Sequence, residues 1–200
     1  MTRFLLIRHA TNDTVGKRMA GRMVGVHLNE SGKAQAQHLA QQLKGLAIDA
    51  IYSSPLERAQ ETAVPVAEAL QLQVNTWADF LELDFGDWTN RLFEELRPDP
   101  QFKLFNTFRS NTRIPGGETM QEAQLRFIKG MEKLCQQHPQ QTVAVVSHGD
   151  PIKAAVAYYG GIHLDFFHRL EISPASVSIV EVFDETARVL LVNHTGGITF

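Results

Sequence analysis

Residues 142–147, TVAVVS, form the clearest strand pattern in the chain, and they run straight into His148-Gly149-Asp150-Pro151 and a helical pattern. A short run that is apolar on successive residues has no face to give to water. It belongs in a sheet covered on both sides, which is the habit of parallel sheets with helical crossovers. The same grammar recurs. Arg3 to Ile7 reads as a short buried strand, and Ala50 to Ser53 as a second. Helical patterns alternate with these strands. This predicts an α/β fold: a three-layer α/β/α sandwich with a mainly parallel central sheet and helices on both faces.

The expected helices follow from apolar spacing. Asn29 to Leu46 carries Ala36, Leu39, Ala40, Leu43 and Leu46 on one face, with Asn29 or Ser31 as cap and Gly45 near the end. A second helix is expected to open at Ser54-Pro55, with serine capping and proline in the first turn. Pro65 lies inside that helix and is expected to kink or break it. Val74 to Trp77 is a candidate third strand. Glu118 to Cys135 and Pro151 to Tyr159 complete the helical set. Ser176 to Phe183 and Arg188 to Asn193, joined by Asp184-Glu185-Thr186, read as a closing antiparallel hairpin. No repeat or linker interrupts the chain, so one domain over 1–200 is expected. An irregular, cap-like insertion at about 85–117 is marked by Pro98, Pro100, Pro115 and Gly116-Gly117, with short helices around Arg91 to Leu96 and Gln101 to Phe108.

The ends of the strands carry the chemistry. In open sheets of this kind ligands sit at the carboxyl ends of the strands. The first strand ends in Arg8-His9. The second leads to Arg58 in the first turns of a helix. TVAVVS ends in His148 at another helix start. Taken singly, Arg8-His9 is an ordinary polar strand end and His148 an ordinary helix-cap histidine. Together, two arginines, two histidines and two helix N-termini would repel one another unless an anion joined them. A multivalent oxyanion such as phosphate accepts bidentate hydrogen bonds from arginine and offsets the positive charge.

LIRHA, SSPLERAQETA and VVSHGD, with FGDW after Glu82 and PGGET at Pro115 to Thr119, resemble the motifs of the histidine phosphatase (phosphoglycerate mutase-like) superfamily, phosphatase branch. They come in family order from residue 7 to residue 150. The resemblance implies that His9 is the nucleophile and that Arg8, Arg58 and His148 hold the phosphoryl oxygens. It implies that Glu82 is the acid and base, with Asp84 and Asp87 as rivals close in sequence. Metal and cofactor are then unnecessary. Asn12 and Thr11 are candidates for further phosphate contacts. Arg109 and Arg113, from the insertion, are candidates for binding the rest of the substrate. Two positions depart from the family pattern: Ala10 stands where glycine is usual after the histidine, and Val15 where an asparagine is frequent.

The expected function is metal-independent hydrolysis of small phosphate monoesters through a phosphohistidine. Phosphoglycerate mutase-type transfer is one alternative. It is disfavoured because LDFGDWTNR stands where mutases carry an RHYG-like stretch. A non-catalytic phospholigand-binding module is another, disfavoured because every catalytic position is filled. The partner implied is a small phosphorylated metabolite, with a homodimer as one candidate assembly. The net charge of -3 gives no general attraction to nucleic acid or to a membrane surface. The one cysteine, Cys135, cannot form an internal disulfide. The apolar run at the N-terminus is too short for a signal-peptide core, and a cytoplasmic location is expected.

Overall fold

In the computed structural model, which describes residues 1–198, six strands form one mixed sheet in the order β3-β2-β4-β1-β5-β6. The last two positions of the expected 1–200 domain lie outside the described residues. The strands are β1 (Thr2–Arg8), β2 (Ala50–Ser53), β3 (Val74–Thr76), β4 (Thr142–Ser147), β5 (Val177–Val182) and β6 (Ala187–His194). β3, β2, β4 and β1 run parallel, while β5 and β6 add antiparallel at one edge. Alternation along β1 divides the core. Phe4 and Leu6 pack on one face with Phe80, Phe127 and Met131. Leu5 and Ile7 pack on the other with Leu39, Leu43, Ala63 and Val66. These four residues are fully buried, which is why the middle of β1 is apolar on both faces.

The first face is covered by α5 (Met120–Gln137) and α6 (Gly149–Tyr159), and the second by α1 (Glu30–Leu43) and α2 (Glu57–Leu70). Helix α1 is capped by Asn29, whose Oδ1 accepts the Gly32 N–H at 2.9 Å. Helix α5 has a full capping box between Thr119 and Glu122. Helix α2 departs from expectation twice. It begins at Glu57, and its cap residue Leu56 offers no side-chain bond. It also runs through Pro65 without a break. The missing N–H costs one intrahelical bond, but Ala59, Ala63, Val66 and Ala67 are buried around Pro65 and hold the turn in place.

The segment expected as an insertion packs into a third apolar cluster shared with Met120 and Ala123 of α5 and Ala154 of α6. Short helices α3 (Phe93–Leu96) and α4 (Pro100–Thr107) and a tight turn at Gly86–Trp88 bury Trp88, Leu96, Phe105 and Ile114. Trp88 meets Phe102 and Phe105 edge-on at 5.3 and 5.5 Å between ring centroids. The insertion is thereby fixed over the carboxyl ends of the parallel strands. Among the described residues no helix is long and apolar enough to cross a membrane.

Candidate active site

Register brings the motif residues to one level. β1 and β4 pair in parallel with Arg8 opposite Ser147, so His9 and His148 leave the sheet side by side. The His9 N–H bonds to the Ser147 carbonyl at 2.8 Å, and the Ser54 N–H to the Val146 carbonyl at 2.9 Å. The rings of His9 and His148 lie 5.2 Å apart at 61°. Both histidines and Arg58 are buried.

Each group is held by bonds that leave one end free. His9 Nδ1 lies 2.8 Å from the Ala10 carbonyl oxygen. A carbonyl only accepts, so the proton sits on Nδ1 and the Nε2 lone pair is exposed to the cleft. Burial, then Arg58 and Arg8, hold the His9 pKa well below 6.5, so the ring is neutral. Burial and the same cations, with His9, do likewise for His148. His148 Nε2 pairs with Ser54 Oγ at 2.7 Å. Arg58 donates to the Gly21 carbonyl at 2.7 Å, and Arg8 to the Ile172 carbonyl at 2.5 Å. Arg8 Nε and Asn12 Nδ2 are buried donors with no partner among the described residues. Such donors are costly unless a ligand oxygen meets them.

Arg8, His9, Asn12 and Arg58 line one cleft of about 280 Å³ with Glu82, while His148 is fully buried beside His9 and is not part of the lining. Burial, then the Asp150 carboxylate, push the Glu82 carboxyl up to about 7 against the opposing pull of Arg58. Its loop is strapped from behind. The Glu82 carbonyl accepts from Arg22 Nε at 2.9 Å and Arg126 Nη2 at 3.3 Å. Arg126 also donates to the carbonyls of Asp79 and Leu81. Glu118 bridges both arginines, at 2.8 Å to Arg22 and 3.1 Å to Arg126. The rival carboxylates stand elsewhere. Asp84 Oδ1 accepts the Gly86 N–H at 3.0 Å, and neither Asp84 nor Asp87 lines the cleft.

The candidates for the rest of the site divide. Asn12 and Arg109 line the cleft. Asn12 Oδ1 is taken by the Thr14 N–H and hydroxyl, which turns its amide donors outward. Thr11 is not in the lining. Its N–H bonds to Gln35, and its carbonyl oxygen would lie 1.9 Å from a Cβ at residue 32, so α1 docks on this backbone through Gly32. Arg113 is also outside the cleft, exposed and paired with Glu122 at the start of α5. Ala10 has no positive φ, so the usual glycine is not needed there. Val15 lines the cleft where an asparagine was expected.

Sequence reasoning missed Asp150, Lys153, Arg18 and His168 in the lining. It also missed the Arg22–Glu118–Arg126 strap. Asp150 and Lys153 had a readable signal. A helix that starts at Gly149, on the end of a parallel strand, presents its first turn and the residue one turn later to the ligand side.

Comparison with known proteins agrees with this geometry. The chain matches the model of the histidine phosphatase superfamily (branch 1) over residues 4–195. Phosphoserine phosphatase 1 of Hydrogenobacter thermophilus is 32% identical over 98% of this chain and 93% of its own. The bifunctional protein Rv2228c of Mycobacterium tuberculosis is 36% identical, but this chain spans only 54% of it. Among solved structures, Bacillus stearothermophilus YhfR superimposes with a TM-score of 0.90 at 27% identity, over 96% of this chain and 97% of that one. With the motifs, the sheet order and the family match in agreement, this chain belongs to the histidine phosphatase superfamily.

Proposed function

We propose that this protein hydrolyses small phosphate monoesters through a phosphohistidine on His9, without a metal. The observation that carries the reading is the His9 tautomer. Its Nδ1–H is committed to a backbone carbonyl, and its Nε2 lone pair faces a cleft walled by Arg8 and Arg58. That is the state a nucleophile needs.

The Nε2 lone pair attacks phosphorus while the bond from phosphorus to the ester oxygen breaks. Glu82, protonated near neutral pH, gives its proton to the departing alkoxide. Water then attacks phosphorus, its proton passing to the Glu82 carboxylate, while the bond from phosphorus to His9 Nε2 breaks. His9 regains its lone pair and inorganic phosphate leaves. Throughout, Arg8, Arg58, His148 and the free Asn12 amide donate to the equatorial oxygens, where charge accumulates. Arg8 and Arg58 supply the positive charge that a metal supplies elsewhere. The phosphatase name of the Hydrogenobacter relative supports net hydrolysis over transfer between substrate hydroxyls.

The test is phosphate release from p-nitrophenyl phosphate, with and without EDTA, alongside product analysis on 3-phosphoglycerate. Turnover unaffected by EDTA is expected. Formation of 2-phosphoglycerate faster than free phosphate would refute hydrolysis, and absence of turnover on a broad panel would refute catalysis.

A further inference from the structure

Sequence alone makes Ser54 the expected cap of α2, but the structure uses its hydroxyl elsewhere. The cap residue is Leu56, which has no side-chain bond to offer. Ser54 stands just beyond β2 and is fully buried. Its backbone is pinned on both sides. Its N–H donates to the Val146 carbonyl at 2.9 Å, and its own carbonyl accepts from Gln60 Nε2 at 2.7 Å and Ser53 Oγ at 2.9 Å. The hydroxyl then has two neighbours among the described residues: the Leu56 N–H at 3.4 Å and His148 Nε2 at 2.7 Å.

The hydroxyl must donate to the ring. The Leu56 N–H can only give a proton, so His148 Nε2 is the one acceptor that the Ser54 proton meets. If Nε2 carried the ring proton instead, two buried groups would go unmet, the Ser54 proton and the Nδ1 lone pair. With the hydroxyl donating, only the Nδ1 side is unmet. Burial, then Arg58, keep the His148 ring neutral, so it carries a single proton. That proton sits on Nδ1, a buried atom with no partner among the described residues, in a ring whose centre is 5.2 Å from that of His9. An unmet buried N–H is costly, and an oxygen of a phosphoryl group at His9 would meet it.

We propose that Ser54 is a positioning residue for this reaction: its hydroxyl fixes the tautomer of His148, so that a neutral imidazole turns an N–H toward the phosphoryl oxygens. The two histidines then take opposite tasks for one physical reason. At His9 an acceptor, the Ala10 carbonyl, holds the Nδ1 proton and leaves Nε2 as a nucleophile. At His148 a donor, the Ser54 hydroxyl, occupies Nε2 and leaves Nδ1–H as a hydrogen-bond donor. Without the serine either nitrogen of His148 can hold the proton. In the Nε2–H form a lone pair faces an anionic oxygen, and repulsion replaces the hydrogen bond. The assignment rests on the hydrolase reading above, which gives His148 its task.

The test uses the full chain with ¹⁵N-labelled histidine in phosphate-free buffer, as native protein, Ser54→Ala and Ser54→Thr, with His148→Gln to assign the ring signals. Two-bond ¹H–¹⁵N spectra distinguish a protonated ring nitrogen from a bare one. His148 is expected as Nδ1–H in native protein and in Ser54→Thr, and with Nε2–H populated in Ser54→Ala. Ser54→Ala should lower kcat about 10-fold with KM changed by less than about 3-fold, the worth of one hydrogen bond to a charged group. Ser54→Thr should recover most of that loss. In a His148→Gln background Ser54→Ala should cost less than about 2-fold, because the ring it acts through is gone. Native His148 as Nε2–H, a tautomer unmoved in Ser54→Ala, or equal losses in both backgrounds overturns the assignment. If Ser54→Ala does not fold, the native spectrum decides, Nδ1–H supporting the assignment and Nε2–H refuting it. If no ester is turned over, the hydrolase reading fails. The spectra and calorimetric binding of inorganic phosphate to native protein and Ser54→Ala then decide the role of Ser54, a difference in affinity below about 3-fold refuting it.

Discussion

Replacing Glu82 with glutamine separates what the carboxyl does for catalysis from what it costs the fold. Glutamine keeps the shape and removes the proton. For a substrate with an alkyl leaving group, the account expects kcat/KM to fall by about 10²–10⁴, the usual worth of a positioned acid or base. For p-nitrophenyl phosphate the loss should be smaller, since p-nitrophenolate leaves without help. The stability effect has the opposite sign. The folded-state pKa of about 7 lies above the ordinary 4.5. The native state therefore binds this proton more tightly than the unfolded chain. The resulting stability is fully present below pH 4.5 and is lost as pH rises through 7. A midpoint moved from 4.5 to about 7 corresponds to about 3 kcal/mol at most. Water entering the cleft reduces this to about 1–2 kcal/mol. Glu82→Gln should accordingly match the native melting temperature at pH 4.5 and exceed it by roughly 2–8 °C at pH 8.5. Equal catalytic losses for good and poor leaving groups would move the acid role away from Glu82. A melting difference that does not grow with pH would refute its buried, proton-retaining environment.

Two further substitutions probe the supports. Glu118→Gln removes the charge shared by Arg22 and Arg126 and should loosen the loop carrying Glu82. The expected result is a fall in kcat of about 10-fold with a smaller change in KM, together with about 1–3 kcal/mol of lost stability in denaturant melts. An unchanged kcat would show that the strap is only structural. Gly149→Ala adds a Cβ 3.2 Å from Arg8 Nε and 3.3 Å from its Cζ. Arg8 is tied to Ile172 and cannot retreat freely, so inhibition by inorganic phosphate should weaken by about 3- to 10-fold; unaltered inhibition would exclude Arg8 from phosphate binding.

The sheet was legible because Phe4 to Ile7 and Thr142 to Ser147 must be buried on both faces, and that need is written in consecutive apolar residues. The convergence of Arg8, His9, Arg58 and His148 was legible for a related reason. Each stands directly after a strand or in the first turns of the following helix, so topology alone brings them together. Residues that depend on loop paths were harder to read. Arg113 and Arg109 are four residues apart in one irregular segment, yet one pairs with Glu122 outside the cleft and the other lies over Phe167 inside it. Nothing in their spacing distinguishes them. Thr11 was misjudged because its backbone serves the packing of α1, a contact set by the close approach at Gly32. Pro65 does not break α2, because the buried neighbours around it stabilise the helix where local propensity alone would end it.

The central claim is that the imidazole of residue 9 carries the phosphoryl group. Its most direct test is a rapid acid quench of the protein with a ³²P-labelled phosphate monoester, followed by peptide mapping under conditions that preserve phosphohistidine. An acid-labile label is expected on the peptide containing His9, accumulating further in Glu82→Gln when the labelled ester has a leaving group that needs no proton, such as p-nitrophenolate, and absent in His9→Ala. Label on another residue, or label that persists in His9→Ala, would contradict it.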